Sequence, residues 1–216
     1  MFMLLATRYF SVLLAACALL FTSLQLQAAQ TIDRNQPPAQ FIQALANHAL
    51  DVVKKDKAAQ SGDRAAIDRL VDQYVLPYVN FEKTTRLAAG RHWRQASAAQ
   101  RNDLVSAFKN TLIRTYSGAL ANVDKLSAIQ VGPFRGDPNA DDVVVRSTIT
   151  QNNGPAVAVD YRMENTPAGW QIYDLNVEGI WLIQNYRNQF SQMITEKGID
   201  GLINTLNSQS TPAQNP

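Results

Sequence analysis

Apolar residues recur at helical spacing through the first half of the chain beyond its N-terminal segment. Residues three and four positions apart are apolar in four stretches, at about 37–59, 63–76, 80–90 and 97–120. A proline pair opens the first stretch, where the missing N–H groups cost nothing. Asp63, Asn80 and Ser97 can cap the other three, and Ser97 forms a capping box with Gln100. The pattern therefore predicts four helices.

Beyond Val123 the spacing changes from helical to alternating. Four stretches are predicted as strands: 125–134, 142–151, 155–164 and 169–177. The segments between them are rich in turn residues, and the two inner turns are short enough for antiparallel hairpins. In the third strand Val159 and Tyr161 share one face, while Asp160 and Arg162 share the other. This alternation predicts a sheet with one apolar face and one largely wet face.

The last of these strands does not show a single apolar face. Trp170 and Ile172 fall on one side, whereas Tyr173, Leu175 and Val177 fall on the other. Alternation alone therefore leaves the direction of its apolar face undecided.

A helix is predicted from residue 180 to about 196, and its first turn, 180–183, is apolar on every side. A surface helix needs only an apolar stripe, so the extra faces must contact more than one layer of the fold. Gly198 should end this helix, 199–206 should form a short final helix, and 208–216 should be a disordered polar tail. Together the elements predict an α+β fold, with helices packed on the apolar face of a curved four-stranded antiparallel sheet.

The N-terminus has the layout of a secretory signal peptide. Arg8 supplies a positive charge, residues 9–21 form an apolar run too short to span a bilayer comfortably, and small residues precede a cut that we place after Ala28. The mature chain would be one domain over 29–207 followed by the tail. Cys17 ends the sequence LAAC, which has the form of a lipoprotein cleavage box, but the apolar run continues past it, so the ordinary cut is favoured.

Composition and motifs argue against several classes of chemistry. The chain has 216 residues, a net charge of +2 and no long basic run, so nucleic-acid binding is not indicated. Its two histidines show no metal-ligand spacing, and no serine-nucleophile motif occurs. Asp160, Asp174 and Glu178 lie in or just after strands, and one of them could act as a base if it were buried in an apolar cone. The alternative, which we favour, is that such acids are solvated on the wet face.

Several segments resemble a known family. They are YVLPYVNFEKTTRLAAGRHWRQASAAQRNDLVSAFKNTLIRTYSGAL (74–120), VDYRM (159–163), GWQIYDLNVEGIWLIQNYRNQF (169–190) and KGIDGLI (197–203). In this order they are similar to the MlaC family of periplasmic phospholipid-binding proteins, also described as toluene-tolerance auxiliary components. The resemblance covers nearly the whole mature chain. The family has no catalytic motif, so the resemblance implies a protein that is not an enzyme.

The resemblance implies a soluble periplasmic carrier with an NTF2-like curved sheet. Acyl chains of a glycerophospholipid would lie in an apolar cavity between sheet and helices, with the head group at the mouth. Such carriers shuttle lipid between an outer-membrane lipoprotein–porin complex and an inner-membrane ABC transporter with an MCE-domain subunit, and so maintain outer-membrane lipid asymmetry. The lipid is cargo, no cofactor or metal is implied, and a monomer is expected.

The candidate lipid-binding residues are large apolar side chains on elements that should converge. They are Tyr74, Val75, Phe81, Leu87, Phe108, Leu112, Tyr116, Val145, Val157, Val159, Tyr161, Trp181, Ile183, Tyr186 and Phe190. Three arginines could contact phosphate at the mouth, namely Arg91, Arg94 and Arg187. The fully apolar helix start at 180–183 suits this function if one of its faces packs on the fold and another lines the cavity.

The physical requirement for a lipid carrier is large. A two-tailed lipid has about 30 methylenes at ~0.8 kcal/mol each, so exposing it to water costs on the order of 25 kcal/mol. The cavity should therefore approach the upper end of ordinary ligand pockets, several hundred Å³. Two other functions stay open on sequence grounds. An NTF2-like enzyme acting on a small apolar molecule would need an inward acid or histidine and a smaller pocket, and a structural adaptor would have a filled core.

Overall fold

The computed structural model describes residues 31–120, 126–137, 139–152 and 154–208. The predicted signal peptide, including Cys17 and the cut after Ala28, lies outside the described residues, as do residues 209–216 of the predicted tail. The described region forms a helical layer packed on an antiparallel sheet, which confirms the α+β prediction.

The helical part contains six α-helices in the described residues. They are α1 (Pro38–Lys55), α2 (Lys57–Gln60), α3 (Arg64–Tyr74), α4 (Phe81–Ala89), α5 (Ala98–Leu120) and α6 (Leu182–Ser208). Short 3₁₀ turns at Leu76–Tyr78 and Gly90–Arg94 join α3 to α4 and α4 to α5. Within α6, Gly198 adopts a non-helical φ of 72°, so the predicted break between two helical segments is present as a kink.

The predicted helix caps are confirmed by hydrogen bonds. The side chains of Asp63 and Asn80 accept from the backbone N–H groups three residues ahead, at 3.0 and 2.9 Å. Ser97 and Gln100 satisfy each other's backbone N–H groups, as a capping box requires. The predicted helix over 37–59 is interrupted at Asp56, whose carboxylate caps α2 by accepting from the N–H of Ala59.

The sheet has five strands rather than the predicted four. They are β1 (Leu126–Val131), β2 (Asp142–Gln151), β3 (Val157–Thr166), β4 (Gly169–Val177) and β5 (Ile180–Trp181), in the spatial order β1-β2-β3-β4-β5 with every neighbouring pair antiparallel. The prediction of a helix from residue 180 was wrong by two residues. Glu178 and Gly179 have φ of 51° and 88°, which turns the chain back so that β5 pairs with β4 before α6 begins. The NTF2-like form of the sheet stays a prediction.

A β-bulge in β4 resolves the ambiguous alternation of that strand. Arg162 of β3 pairs with Asp174, but the next residue, Met163, pairs with Ile172, so Tyr173 is an extra residue in β4. The bulge reverses the alternation, and as a result Trp170 and Ile172 share a face with Leu175 and Val177. Both halves of the strand therefore present apolar side chains to the helices.

The bulged residue itself is held at the sheet margin. The Tyr173 hydroxyl donates to the Asp142 carboxylate at 2.8 Å, and the Lys83 ammonium lies 3.7 Å from the centre of the tyrosine ring. Lys83 also pairs with Glu164 at 2.7 Å. Burial, followed by the hydrogen bond to Asp142, raises the pKa of Tyr173, so the phenol stays protonated.

The apolar core divides into three clusters. One joins α4, α5 and α6 around Phe108 and Phe190, whose rings meet edge-on with centroids 4.9 Å apart. A second packs Phe41 and Leu45 of α1 against the sheet. The third is a small cluster formed by the end of α1 with α2 and α3. The candidate site described below lies in the space between these clusters.

The outer edge of β1 is covered by one side chain of α1. The amide of Gln43 donates to the carbonyl of Ile129 at 3.0 Å and accepts from the N–H of Val131 at 3.0 Å. It therefore imitates a neighbouring strand along an edge that would otherwise offer unpaired backbone groups.

We expect Gln43→Ala to lower the free energy of unfolding by about 1–2 kcal/mol, because two partly buried backbone groups lose their partner. Gln43→Glu is the matched control: it keeps an acceptor for Val131 and loses the amide N–H groups that donate to Ile129 and to the exposed side chain of Asn47. Urea denaturation should rank the wild type first, Gln43→Glu second and Gln43→Ala last. Equal midpoints for all three would contradict this account of the edge.

Candidate functional site

A cavity of about 420 Å³ lies between the helices and the sheet. Its helical wall includes Ile42, Leu45, Ala46, Ala49 and Val53 of α1, Leu70, Val71 and Tyr74 of α3, and Leu112, Ile113 and Tyr116 of α5. Its sheet wall includes Ile129, Ile149, Tyr161, Ile172, Leu175 and Val177. The bulge at Tyr173 matters here because it turns Ile172 and Leu175 to the same side.

The few polar groups in the wall are largely engaged with the protein. The hydroxyl of Thr84 donates to the carbonyl of Tyr173 at 2.7 Å, and the Tyr161 hydroxyl lies 3.3 Å from the Ser147 hydroxyl. No lysine, arginine or histidine is among the described residues that line the cavity, and Asp174 is the one carboxylate-bearing residue there. The cavity is therefore suited to apolar groups and offers no cation to a charged ligand.

Six of the fifteen candidate lipid-binding residues line this cavity: Tyr74, Val75, Phe81, Leu112, Tyr116 and Tyr161. The other nine lie elsewhere. Phe108, Tyr186 and Phe190 form an aromatic cluster between α5 and α6, with centroids 4.8–5.7 Å apart. Val145, Val159 and Ile183 are buried, and Leu87, Val157 and Trp181 are half-buried outside the lining. Contact of any of the fifteen with lipid stays a prediction.

The apolar residues at 180–183 do not form one helical turn with a face on the fold and a face in the cavity, as predicted. Trp181 shows the difference. Its ring stacks on the guanidinium of Arg162, 3.7 Å from the ring centre, on the face of the sheet that bears Asp174. Leu182 lines the cavity and Ile183 is buried. The segment is apolar on every side because it is first a strand, with alternating faces, and then a helix.

Asp174 joins the sheet to the start of α6. Its carboxylate is fully buried and lies 3.0 Å from a guanidinium nitrogen of Arg162. The same carboxylate accepts hydrogen bonds from the backbone N–H of Ile183, in the first turn of α6, and from that of Leu175, both at 3.0 Å. Burial raises the pKa of Asp174, against the opposing effects of these N–H groups and of Arg162.

The other two candidate bases are also held in structural contacts. Asp160 lies 4.0 Å from Arg146 across the β2–β3 pair, as the wet-face alternative predicted. Glu178 accepts a hydrogen bond from the backbone N–H of Ala158 at 2.6 Å. Among the described residues, no group of three or more potential ligands could hold a metal ion.

The three candidate head-group arginines do not border the cavity. Arg91 and Arg94 are exposed on the second 3₁₀ turn. Arg187 donates twice to the carbonyl of Leu87, at 3.0 and 2.8 Å, and so satisfies a carbonyl in the last turn of α4. The structure places all three away from the cavity lining, and phosphate contact stays a prediction.

Sequence reasoning named no lining residue on α1 and only Tyr74 on α3. Ala46 and Ala49 of α1 and Val71 of α3 all line the cavity. The available signal was the width of the apolar stripe on α1, which continues beyond the residues needed to cover the sheet. Small residues in that stripe leave space where larger ones would fill it.

An α+β domain built around an apolar cavity is the architecture of a protein that binds apolar ligands. Residues 43–208 match the family described as MlaC protein. The match spans well over half of the chain, and the chain therefore belongs to the MlaC family. None of the described helices is long and apolar enough to cross a membrane.

Two relatives and one solved structure are similar to this chain. The intermembrane phospholipid transport system binding protein MlaC of Haemophilus influenzae is 23% identical over 81% of this chain and 82% of its own. The toluene tolerance protein ttg2D of Pseudomonas putida is 26% identical over 76% of each chain. A phospholipid-binding protein from Ralstonia solanacearum, solved in complex with a phospholipid at 1.53 Å, is 41% identical, covers 78% of this chain and 93% of its own, and superposes with a TM-score of 0.74.

Proposed function

We propose that this protein is a phospholipid carrier that holds acyl chains in the cavity between its helices and its sheet. The observation that carries the proposal is the cavity itself, about 420 Å³ of space whose wall is apolar apart from a few hydroxyls and Asp174. A relative 41% identical in sequence was solved with a phospholipid bound, which supports the same class of ligand here.

The volume bears on how much of the lipid is enclosed. It lies in the lower part of the usual range for ligand pockets, not near the upper end as predicted. We propose that acyl chains fill this space and that any part of the lipid that extends beyond it lies at the mouth.

The proposal extends to transport between membranes. One named relative is described as the binding protein of an intermembrane phospholipid transport system. We propose a periplasmic shuttle between an outer-membrane lipoprotein–porin complex and an inner-membrane ABC transporter with an MCE-domain subunit. The enzyme alternative lacks support, because each candidate base is held by a structural contact.

Native mass spectrometry of the protein purified without detergent tests the carrier function. We expect a mass excess equal to a diacyl phospholipid, identified after release by organic extraction. If the measured mass equals that of the protein without ligand, the sample should be incubated with phospholipid vesicles and measured again. Failure to take up lipid even then would overturn the proposal.

Head-group charge should have little influence on binding. Because no cation lines the cavity among the described residues, we expect phosphatidylcholine and phosphatidylglycerol to compete equally within about threefold. Affinity for the anionic lipid should also change little between 50 and 500 mM salt, since no exposed ion pair is formed. A strong preference for the anionic lipid that disappears in Arg91→Ala or Arg187→Ala would instead restore the arginines as head-group ligands.

A further inference from the structure

The turn between β4 and β5 lies beside the cavity. Val177 lines the cavity, and Ile180 is its partner across the two-residue turn. Partners in an antiparallel pair point to the same face with Cβ atoms about 5 Å apart. Ile180 is therefore next to the cavity wall, although 59% of its surface is exposed.

Exposed large hydrophobic residues are rare in the described part of this chain, and those that occur lie in or beside the cavity wall. Tyr116 and Ile180 are the two described residues in this category. Tyr116 lines the cavity directly, while Ile180 adjoins it through Val177. A single exposed isoleucine needs no explanation by itself. Here both exposed side chains adjoin the same apolar cavity, as residues at its mouth would.

The turn that carries Ile180 is fixed rather than loose. Glu178 has a φ of 51°, a left-handed conformation that residues other than glycine rarely adopt, and Gly179 follows with a φ of 88°. Two residues with positive φ form the hairpin turn whose twist matches the flanking strands.

Three hydrogen bonds hold this conformation. The backbone N–H of Glu178 donates to the carbonyl of Ala158 at 3.1 Å, and the Glu178 carboxylate accepts from the N–H of the same alanine at 2.6 Å. The side chain of Asn176 accepts from the N–H of Gly179 at 2.9 Å. An unusual backbone held by this many contacts is a feature that the surrounding structure maintains.

We propose that this turn is the rim of the cavity mouth and that Ile180 is the residue that an acyl chain contacts as it passes between a lipid surface and the cavity. This inference rests on the proposed carrier function. Ile180 offers apolar surface on the path of the chain, so the methylenes that leave the lipid surface are less exposed to water during transfer. It lies outside the cavity, so it affects the rate of transfer and not the amount of lipid held at equilibrium.

A matched pair of variants tests the role of Ile180. The variants are Ile180→Val and Ile180→Thr. Valine and threonine side chains have nearly the same shape and both suit a strand, but only valine keeps the surface at this position apolar. Both should fold, since the side chain is largely exposed. The probe is a phosphatidylcholine vesicle containing pyrene-labelled phosphatidylcholine, and stopped-flow fluorescence reports its transfer to the full chain.

We expect Ile180→Val to transfer lipid at nearly the wild-type rate and Ile180→Thr about fivefold more slowly, with the same extent at equilibrium. Glu178→Gly, which keeps the positive φ but removes the carboxylate contact to Ala158, should also slow transfer. Equal transfer rates for Ile180→Val and Ile180→Thr would overturn the proposal that this turn is the rim. A smaller amount of lipid bound at equilibrium with an unchanged transfer rate would overturn it as well. If the wild type takes up no lipid at all, the carrier function itself fails, so the two failures are distinguishable.

Discussion

Filling the cavity from α1 should abolish lipid binding without unfolding the protein. Ala49 lines the cavity, so the indole in Ala49→Trp would occupy space that several methylenes would otherwise take. At ~0.8 kcal/mol for each displaced methylene, affinity should fall by on the order of a hundredfold or more. Stability should be unchanged or higher, because the added apolar surface is buried. Lipid retained through detergent-free purification, measured by native mass spectrometry, checks this.

Ala99→Trp is the control for the cavity-filling variant. Ala99 is exposed in the first turn of α5 and is not among the residues that line the cavity, so the same substitution there should leave lipid binding intact. A folded Ala49→Trp protein that carries as much lipid as the control would show that the acyl chains lie somewhere else.

Removing the Asp174 carboxylate should be the most destabilising single change outside the apolar core. Asp174→Ala leaves the Arg162 guanidinium without its carboxylate partner and the N–H of Ile183 without an acceptor. Breaking a buried ion pair typically costs 3–5 kcal/mol, but the Arg162 side chain is 37% exposed, so we expect about 3 kcal/mol. For a domain of this size the melting temperature should fall by roughly 6–12 °C.

Asp160→Ala provides the comparison for this effect, because it removes the same side chain from a neighbouring strand. Asp160 lies 4.0 Å from Arg146, and the arginine side chain is 69% exposed. An exposed pair of this kind contributes less than about 1 kcal/mol. Similar losses in the two variants, measured by thermal and chemical denaturation, would mean that the buried carboxylate has no special role at the sheet–helix junction.

Local features of this fold were predictable from sequence, and long-range ones were not. The caps at Asp63, Asn80 and Ser97 were predictable because each depends on residues within three positions. The pairing of β5 was missed because the apolar run at 180–183 fits a helix equally well until the turn geometry at Glu178 is known.

The cavity could be predicted only in part for a different reason. Tyr116 and Phe108 lie on the same helix and look alike in sequence, yet the first lines the cavity and the second is fully buried in the core. Cores and cavity walls are built from the same residue types. Which of the two a side chain joins depends on the size of the residues opposite it, such as Ala46 and Ala49, and these come from a distant part of the chain.

The extra residue in β4 couples the length of this strand to the order of its polar and apolar residues. If the strand kept its length but lost the bulge, Leu175 and Val177 would rotate out of the cavity wall, whereas deleting Tyr173 would restore regular alternation and leave both of them facing the cavity. In an alignment of related sequences, a one-residue gap at this position should therefore leave the order of polar and apolar residues along the second half of the strand unchanged. A gap that coincides with an exchange of polar and apolar residues there would identify a relative whose wall is built differently.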